Sequence, residues 1–521
     1  MRQEASAPAI AWQEDHQTRT LALNVGGRYM ALAFELALGM VMLPFNTRYL
    51  GASEYGLWML AASIVAYFPI LDLGYCGAME RFVAHYRARR EAQAINEITS
   101  TLVVVFSCIG LLAFAIAGAI AWNLGTWFDL NPAQARTGAI VMLLVTVQFA
   151  IGMPFAIFGG VVNGFQRAFL NANVGVGTSV AVAIVNVVVL TSGGDLVQLV
   201  AATTATRMLG YLLYRRNAYR VFPLLRVRMS QFRMQRLREM TGFSVYLLLL
   251  DISNKINYAT DPIVIAAVLT TGAVAVWTVA QRLADVVLQL TNQLNFVIFP
   301  VVVDCDTAQR EDRLRQLLVQ GTRLSLATSL PVAGSLILFA APVVVGWTGR
   351  EFIEAAAVLQ ILALVVLVRV AGSTAATVLT GGGHHQLVAG SNFAAAMVNI
   401  VLSILLIRVY GLPGVAFATL VPVTVRVMAI VIPAACRRVG ISLTHFVAKA
   451  IWPAAWPAVI AIGGLALLSP TAPSIWQAVL RGGVAGLVYA VLFLGLAIGR
   501  QERQQYVGKL RTIARPALEA A

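Results

Sequence analysis

The sequence is poor in charged residues, which make up only 12% of its 521 residues. A soluble domain carries roughly 25% charged residues. Hydrophobic residues account for 59% of the chain, and the mean hydropathy is +0.78. So much apolar surface excludes an ordinary soluble protein and indicates that most of the chain lies in lipid.

The sequence also lacks the motifs of catalytic and nucleotide-binding domains. It contains no G-x-x-x-x-G-K-[ST] phosphate loop, no H-E-x-x-H zinc motif and no G-x-S-x-G nucleophile elbow. The longest loop between apolar segments, residues 215–242, is too short for a catalytic domain. The four cysteines have no metal-site spacing. We therefore expect a transporter rather than an enzyme, with no cofactor and no metal.

The long apolar runs predict transmembrane helices, because about 20 helical residues cross a bilayer core and only helices or closed barrels satisfy their own backbone in lipid. The sequence predicts an all-α integral membrane protein with about fourteen spans. These are Leu21–Asn46, Gly56–Tyr75, Leu102–Leu124, Gly138–Val161, Val174–Leu190, Leu196–Tyr214, Phe243–Leu269, Val274–Val303, Leu324–Trp347, Ala355–Leu379, Val388–Ile407, Gly411–Pro433, Phe446–Leu468 and Ile475–Leu496.

The arginines set the predicted orientation. If the N-terminus is cytoplasmic, the loops after spans two and six are cytoplasmic and hold twelve arginines, whereas the opposite side holds four: Arg48, Arg136, Arg350 and Arg408. This asymmetry follows the positive-inside rule. We therefore expect a multi-pass membrane protein with both termini in the cytoplasm.

The formal net charge of +15 has the same explanation. Topology and contact of the basic loops with anionic lipids account for it, so we expect no nucleic-acid partner. The first twenty residues lack the apolar core and cleavage site of a signal peptide. The first span is therefore expected to be retained.

Weak internal similarity predicts two bundles related by a parallel repeat. The matches are Pro44 with Pro262, Leu50 with Leu269, Trp58 with Trp277, Asn186 with Asn399 and Arg207 with Arg426. The predicted organisation is a cytoplasmic tail at 1–20, a six-helix bundle at 21–214, a basic cytoplasmic loop at 215–242, a second six-helix bundle at 243–438, an extra helix pair at 439–498 and a cytoplasmic tail at 499–521.

Four stretches carry a family resemblance: RYLGASEYGLW at Arg48–Trp58, LDLGYCGAMERFVAHY at Leu71–Tyr86, TDPIVIAAVL at Thr260–Leu269 and the segment Leu359–Gly383. With them the chain resembles the polysaccharide-biosynthesis, O-antigen-flippase (Wzx-like) family of the MATE–MurJ superfamily. The extra helix pair departs from the twelve-helix pattern of many such flippases.

The resemblance implies two bundles around a cavity that opens alternately to each side. It implies a flippase that moves oligosaccharide on polyprenyl pyrophosphate across the bacterial inner membrane, for O-antigen, capsule or exopolysaccharide synthesis. Coupling to H⁺ or Na⁺ is expected, and polysaccharide polymerase or export machinery is a candidate partner.

Charged residues inside spans are costly in lipid and usually face a cavity. Cations suit a pyrophosphate head, since guanidinium groups fork onto its oxygens. The candidate cavity cations are Lys255, Arg28, Arg282, Arg369 and Arg426. The candidate coupling or charge-balancing carboxylates are Glu35, Asp251, Asp261 and Asp285. Candidate structural or gate residues are Asp72, which would cap or orient the basic helix after span two, and the prolines Pro44 and Pro262.

Several of these residues also have a structural interpretation. Arg282 and Asp285 are three apart, so they share a helix face and would pair with each other. Asp251 and Lys255 are four apart in the most polar span and would form a neutral pair. Arg28 and Arg207 lie near the predicted cytoplasmic ends and would snorkel to the interface.

Three other functions fit the same composition. A MATE-type exporter would carry organic cations by ion coupling, and a MurJ-like flippase would carry lipid II. A scaffold for polysaccharide polymerase would transport nothing, but it would not explain charges buried in several helices.

The orientation is testable with topology reporters. Fusions after Arg90 and at Arg228 are expected to report cytoplasm, because both follow arginine-rich loops. Fusions at Asn131 and Pro470 are expected to report the periplasm. A periplasmic signal at Arg228 would overturn the assignment.

Overall fold

A computed structural model describes the backbone of residues 17–468 and 474–498. The side chains of residues 17–29, 241–251, 253–258 and 468 and of four positions in 290–297 lie outside that description. The chain divides into two compact units, Met1–Ala275 (unit 1) and Val276–Ala521 (unit 2). Described residues form helices and turns, with no strand among them.

Unit 1 is built from seven helices and the start of an eighth, which runs on into unit 2. Their bounds are α1 Gln17–Val65, α2 Tyr75–Ala88, α3 Ala92–Trp127, α4 Pro132–Gly164, α5 Ala168–Thr191, α6 Leu196–Val221, α7 Met234–Val268 and α8 Thr271–Thr307. Helix α4 packs against α3, α6 and α1, and α5 closes the group by packing against α1 and α6. Helix α7 packs against α1, α2 and α3.

Helix α1 is broken where the sequence predicts the turn between spans one and two. Gly51 has φ 73° and ψ 172° inside the otherwise helical run, a conformation that costs glycine little and other residues much. Gly56 serves a different purpose, since a Cβ there would lie 1.7 Å from the carbonyl oxygen of Thr271. The two glycines of the RYLGASEYGLW motif thus permit a backbone break and a close helix contact.

Helix α2 packs its apolar face into the core of unit 1. Tyr75, Met79 and Val83 follow one another at four-residue spacing and are at most 6% exposed. This spacing places them on one side of the helix, where they join a cluster with side chains of α3 and α4. Arg81 is exposed instead, so α2 separates an apolar face from a basic one.

The segment between α6 and α7, part of the predicted basic loop, is held against α3. Polar side chains of α3 bond its backbone at 2.9–3.2 Å: Asn96 to Leu224 and Arg226, Ser100 to Arg228, and Thr101 to Arg233. These bonds satisfy backbone N–H and C=O groups of the extended segment, which a neighbouring strand would satisfy in a sheet. The side chains of Arg226, Arg228 and Arg233 remain exposed.

An ion-pair cluster closes this attachment at the start of α7. The Arg236 guanidinium donates to Glu97 at 2.9–3.0 Å and to Glu239 at 3.2 Å. It also donates to the hydroxyl of Tyr86 at 3.2 Å and lies 5.3 Å from the centre of that ring. Because Tyr86 is on α2 and Glu97 on α3, one arginine joins three helices.

Unit 2 continues from α8 with eight further helices. They are α9 Glu311–Leu338, α10 Ala340–Thr348, α11 Ala355–Gly381, α12 His385–Val425, α13 Ile432–Arg438, α14 Leu443–Phe446, α15 Trp452–Leu468 and α16 Ile475–Leu492. Helix α11 packs against α9 and α12, and α15 packs against α9 and α16. Helix α12 is interrupted by Gly411 at φ 61°.

A second arginine cluster ties helix ends within unit 2. Arg438 donates to Asp306 at 2.6 Å and to Glu311 at 2.7 Å, which joins the end of α13 to the end of α8 and the start of α9. Arg315 adds a bond of 2.6 Å to the Val439 carbonyl. Each unit thus has an arginine that fastens the ends of three helices.

The helical membrane fold predicted from composition is confirmed. Within the described residues, ten helices are long and apolar enough to cross a membrane, or eleven if α9 and α10, bent by 79°, count as one broken span. Two of the ten, Met30–Asp72 and His385–Arg438, have 43 and 54 residues. At about 1.5 Å per residue each is long enough for two crossings of a core of about 30 Å. The count of fourteen stays a prediction.

The boundary between compact units lies inside α8, which differs from the boundary predicted from the repeat. Packing places α7 with unit 1, whereas the sequence repeat assigns the corresponding span to the second bundle. The repeat is a similarity between two parts of the sequence, whereas the compact units are defined by contacts in space, so one does not test the other. The predicted bundles 21–214 and 243–438 stay predictions.

Replacing Arg236 by alanine is expected to lower stability by about 2 kcal/mol, because the charge of a nearly buried carboxylate loses its partner. Glu97 is 8% exposed, so water cannot replace the guanidinium fully. Thermal unfolding of the purified protein would measure the loss.

The matched control is Arg238→Ala, which removes an exposed arginine two residues away. It should leave the unfolding temperature within error. The double variant Arg236→Ala with Glu97→Gln should recover part of the loss, and equal instability of the single and double variants would contradict the ion-pair explanation.

Candidate functional site

A polar cavity of about 520 Å³, the upper cavity, lies inside unit 1. Both halves of α1, together with α4, α5 and α6, line it. Its polar and aromatic side chains are Glu35, Trp58, Gln148, Ser179, Asn186, Thr203 and Arg207. Such a set of side chains in helices otherwise rich in valine, leucine and alanine marks the cavity as a candidate binding site.

Two opposite charges face this cavity. Glu35 on α1 and Arg207 on α6 line it, and both are exposed. Each lies within electrostatic reach of the Tyr214 hydroxyl, two turns beyond Arg207 on α6. The cavity therefore offers both a cation and an anion to a ligand, rather than charge of one sign.

Asn186 is the most deeply buried polar side chain of the upper cavity. It is 4% exposed, and its Nδ2 donates to Asn46 Oδ1 at 3.5 Å, the long limit of a hydrogen bond. Its own Oδ1 is buried and has no partner among the described residues. A buried amide oxygen without a donor costs about 1–3 kcal/mol.

A second cavity of about 730 Å³, the lower cavity, adjoins the first and extends to α2. Both cavities are lined by Ala62, Val145 and Gln148, so Gln148 lies where they meet. The walls of the lower cavity are mainly apolar and aromatic, with Phe149 and Phe155 beside Tyr211 and Tyr214. The ring of Phe155 stacks on Tyr211 at 6.0 Å.

The polar groups of the lower cavity bond to one another. Asn163 Nδ2 donates to Glu80 at 2.7 Å, and Asn171 Nδ2 donates to Asn163 Oδ1 at 2.7 Å. This chain connects α2, α4 and α5 at the end of the cavity where the basic helix lies. It connects the wall through neutral amides, with Glu80 as its one carboxyl group.

Asp72 and Cys76 lie at the start of α2. Asp72 Oδ1 accepts a hydrogen bond of 2.5 Å from the Gly74 N–H, in the turn that begins the helix. Burial raises the pKa of the Cys76 thiol, and the neighbouring Asp72 carboxylate raises it further. The carboxylate therefore orients the entry to α2, and the thiol beside it stays protonated.

The structure separates the predicted site residues of unit 1. Among the predicted site residues whose side chains are described, Glu35 alone lines the upper cavity. Asp261, 4% exposed, lies on α7 within electrostatic reach of Tyr67, whose hydroxyl bonds to Thr260. Pro44 and Pro262 lie inside α1 and α7.

Unit 2 brings three predicted residues together. Asp285 on α8 is within electrostatic reach of Arg369 on α11 and of Arg282 on its own helix. Arg426 is elsewhere in the chain, at the first residue of a π-helical turn, Arg426–Val431. The predicted partnership of Arg282 and Asp285 thus has a third member that sequence spacing did not indicate.

Three predicted residues, Arg28, Asp251 and Lys255, have side chains that lie outside the described residues. Their roles stay predictions. Among the residues that the structure describes, no group of three histidines, cysteines or carboxylates is placed to hold a metal ion.

Sequence reasoning missed most of the upper cavity. The sequence identifies Trp58 and Asn186 only as repeat positions. It identifies Arg207 as a repeat position and as a side chain that would snorkel to the interface. Gln148 was not singled out, although an isolated glutamine within LLVTVQFAIG, in the middle of a predicted span, is a signal that the sequence offers.

Comparisons with known proteins agree with this architecture. A family model described as "Polysaccharide biosynthesis protein" matches residues 27–305. The probable low-salt glycan biosynthesis flippase Agl15 of Haloferax volcanii is 21% identical over 397 residues, which cover 75% of this chain and 78% of the relative.

Two solved structures share the fold. The lipid II flippase MurJ in an inward closed conformation matches with a TM-score of 0.71 and 16% identity, over 89% of this chain and 98% of the other. An inward-facing MATE multidrug transporter matches with a TM-score of 0.66 and 15% identity, over 79% of this chain and 94% of the other. The chain is therefore a multi-pass membrane protein of the fold that these transporters share.

The environment of Cys76 predicts slow reaction with maleimides. Replacing Asp72 by asparagine removes a carboxylate that raises the thiol pKa, so a larger fraction becomes thiolate near pH 8 and labelling should accelerate several-fold. Burial, the larger cause, remains in the variant. Mass spectrometry of the peptide that contains Cys76 would measure the rate.

Glu91→Gln is the control, since it removes an exposed carboxylate just beyond the far end of α2. Its labelling rate at Cys76 should equal that of the unchanged protein. An unchanged rate in Asp72→Asn would show that the carboxylate does not act on the thiol.

Proposed function

We propose that this chain, which belongs to the polysaccharide biosynthesis protein family, is a flippase for lipid-linked oligosaccharide. The single observation that carries the proposal is the family match across residues 27–305, because this range includes all the helices that line the upper cavity. A relative named as a glycan biosynthesis flippase supports the same substrate class. Relatives named as flippases and transporters fit a protein that is not an enzyme.

The finer proposal concerns the cargo and the membrane. We expect oligosaccharide on polyprenyl pyrophosphate, moved across the bacterial inner membrane by alternating access and coupled to H⁺ or Na⁺. Surface polysaccharide synthesis (O-antigen, capsule or exopolysaccharide) would use the product. Both termini would be cytoplasmic.

Arg207 and Glu35 suit this cargo for different reasons. A guanidinium inside a membrane helix is expensive to keep unless it faces water or a polar ligand, and its N–H groups donate hydrogen bonds to hydroxyl oxygens of the cargo. The carboxylate offsets the cation when the cavity is empty and accepts hydroxyl donors when it is filled. Lys255 and Arg28 are proposed as further cations on the evidence of the sequence alone.

The basic cytoplasmic segments are proposed to bind anionic lipid. Because α3 holds the backbone of 224–233, the exposed side chains of Arg226 and Arg228 are placed to extend to lipid phosphates. Association with polysaccharide polymerase or export machinery is a further proposal of this kind.

A MATE-type exporter of organic cations is the second candidate. The aromatic wall of the lower cavity and the Glu35 carboxylate favour a cation. Arg207 opposes it, since a like charge in the upper cavity repels a cationic drug. A MurJ-like lipid II flippase is consistent with the same cavities and differs only in the sugar and peptide of its cargo.

Reconstituted vesicles can separate these candidates. We expect movement of lipid-linked oligosaccharide, and no movement of a cationic dye, by the full chain. Arg207→Ala should slow flipping at least about tenfold, because a hydrogen bond from a charged donor to the cargo contributes about 1.5–3 kcal/mol. Arg207→Lys should retain part of the rate, since a charge remains.

Arg220→Ala is the matched control, an exposed arginine at the end of the same helix. It should flip at the unchanged rate. Transport of the dye but not of the oligosaccharide would favour the MATE alternative, and transport of lipid II in preference to the host oligosaccharide lipid would favour the MurJ-like one.

A further inference from the structure

We infer that the upper cavity is a carbohydrate subsite, in which Trp58, Gln148 and Asn186 bind sugar residues of the cargo. The inference rests on the proposed function and adds a location: the sugars are held inside unit 1, among α1, α4, α5 and α6. The charge and hydrogen-bonding chemistry of the wall supports it.

The wall presents donors and acceptors together. Arg207 only donates hydrogen bonds, Glu35 only accepts when ionised, and Gln148 does both. Sugar hydroxyls also do both, so they can satisfy all of these groups at once. A pyrophosphate only accepts and would leave acceptors unpaired, while an organic cation would be repelled by Arg207.

Asn186 supplies the strongest local argument. Its Oδ1 is buried without a partner among the described residues, and the side chain lines the cavity. The Asn399 Oδ1, its repeat counterpart in unit 2, accepts from Ser403 at 3.2 Å and Thr419 at 3.3 Å. The oxygen of the unit 1 amide therefore lacks the internal hydroxyls that bond to the oxygen of its counterpart, whose own Nδ2 has no partner among the described residues. In the upper cavity, a ligand hydroxyl supplies the donor that Asn186 Oδ1 lacks.

Trp58 provides an apolar surface beside these polar groups. It is half-buried in the cavity wall, and Tyr55 meets it edge-on at 6.1 Å, which restrains the indole. Sugar rings carry C–H groups on their faces and hydroxyls on their edges. A restrained aromatic face flanked by polar side chains matches that distribution.

The size of the site is also suitable. A volume of about 520 Å³ falls within the roughly 300–1,000 Å³ of ligand pockets. Gln148 lies on the wall shared with the lower cavity, so a longer oligosaccharide can continue past it toward Tyr211 and Tyr214.

The first experiment is a binding titration on the purified full chain in nanodiscs. The probe is the water-soluble oligosaccharide released by mild acid from the host's lipid-linked pool, with inorganic pyrophosphate and a quaternary ammonium ion as comparison probes. We expect Trp58→Ala to bind the oligosaccharide at least about tenfold more weakly, as for other aromatic anchors. Trp122→Ala, which removes a 91% exposed tryptophan of α3, should bind normally.

Asn186→Ala should weaken binding about threefold, the loss of one neutral hydrogen bond. Asn123→Ala is its control, because Asn123 is a half-buried side chain on α3 whose Nδ2 donates to the Ala119 carbonyl at 3.0 Å. Neither control lies in a cavity wall.

A second measurement keeps Trp58 intact. Ser179→Cys places a small thiol on the cavity wall, and its maleimide labelling is followed by mass spectrometry of that peptide. The oligosaccharide should slow labelling at least about fivefold at saturation, as the bound fraction blocks access, whereas pyrophosphate alone should not.

The outcomes separate the subsite from the flippase. Unchanged oligosaccharide binding in Trp58→Ala, no binding to the unchanged protein, or protection of Cys at position 179 by pyrophosphate or the ammonium ion in place of the oligosaccharide would overturn the subsite. Trp58-dependent binding together with no flipping in vesicles would support the subsite and overturn the flippase.

Discussion

A bilayer core offers no water to the peptide group, and the rest of this structure depends on that constraint. Every backbone N–H and C=O in the core has to bond within its own helix, so the chain forms long helices and breaks them at few positions. Gly51 and Gly411 interrupt the two longest runs. Charged side chains are subject to the same constraint, and in unit 1 Glu35 and Arg207 line a cavity among the helices.

In the segment between α6 and α7, polar side chains satisfy backbone groups that intrahelical hydrogen bonds satisfy elsewhere. Asn96, Ser100 and Thr101 bond the backbone of the segment after α6, and Arg236 then fixes the start of α7. The basic loop is thereby an ordered part of unit 1. Arg226 and Arg228 of this loop keep exposed side chains, whereas Arg236 is held in the ion-pair cluster.

The two cavities of unit 1 differ in a way that suits an amphipathic cargo. The upper wall mixes Glu35, Arg207 and amide side chains, whereas the lower wall is mainly apolar and aromatic. Family membership gives the class of protein, and this mixture of groups suggests how it selects. A site with unpaired donors and acceptors rejects ligands that cannot match them.

The sequence by itself determined the membrane class, the helical fold and the family, because hydropathy, arginine asymmetry and short glycine motifs are local in the chain. It also identified Glu35. Only the tertiary structure decided that Trp58, Gln148, Asn186 and Arg207 share one cavity, since they lie on four different segments. The periodicity of apolar residues shows which face of a helix is apolar. It does not show which face of another helix packs against it. Contact between distant helices depends on packing, and packing is not local in the sequence.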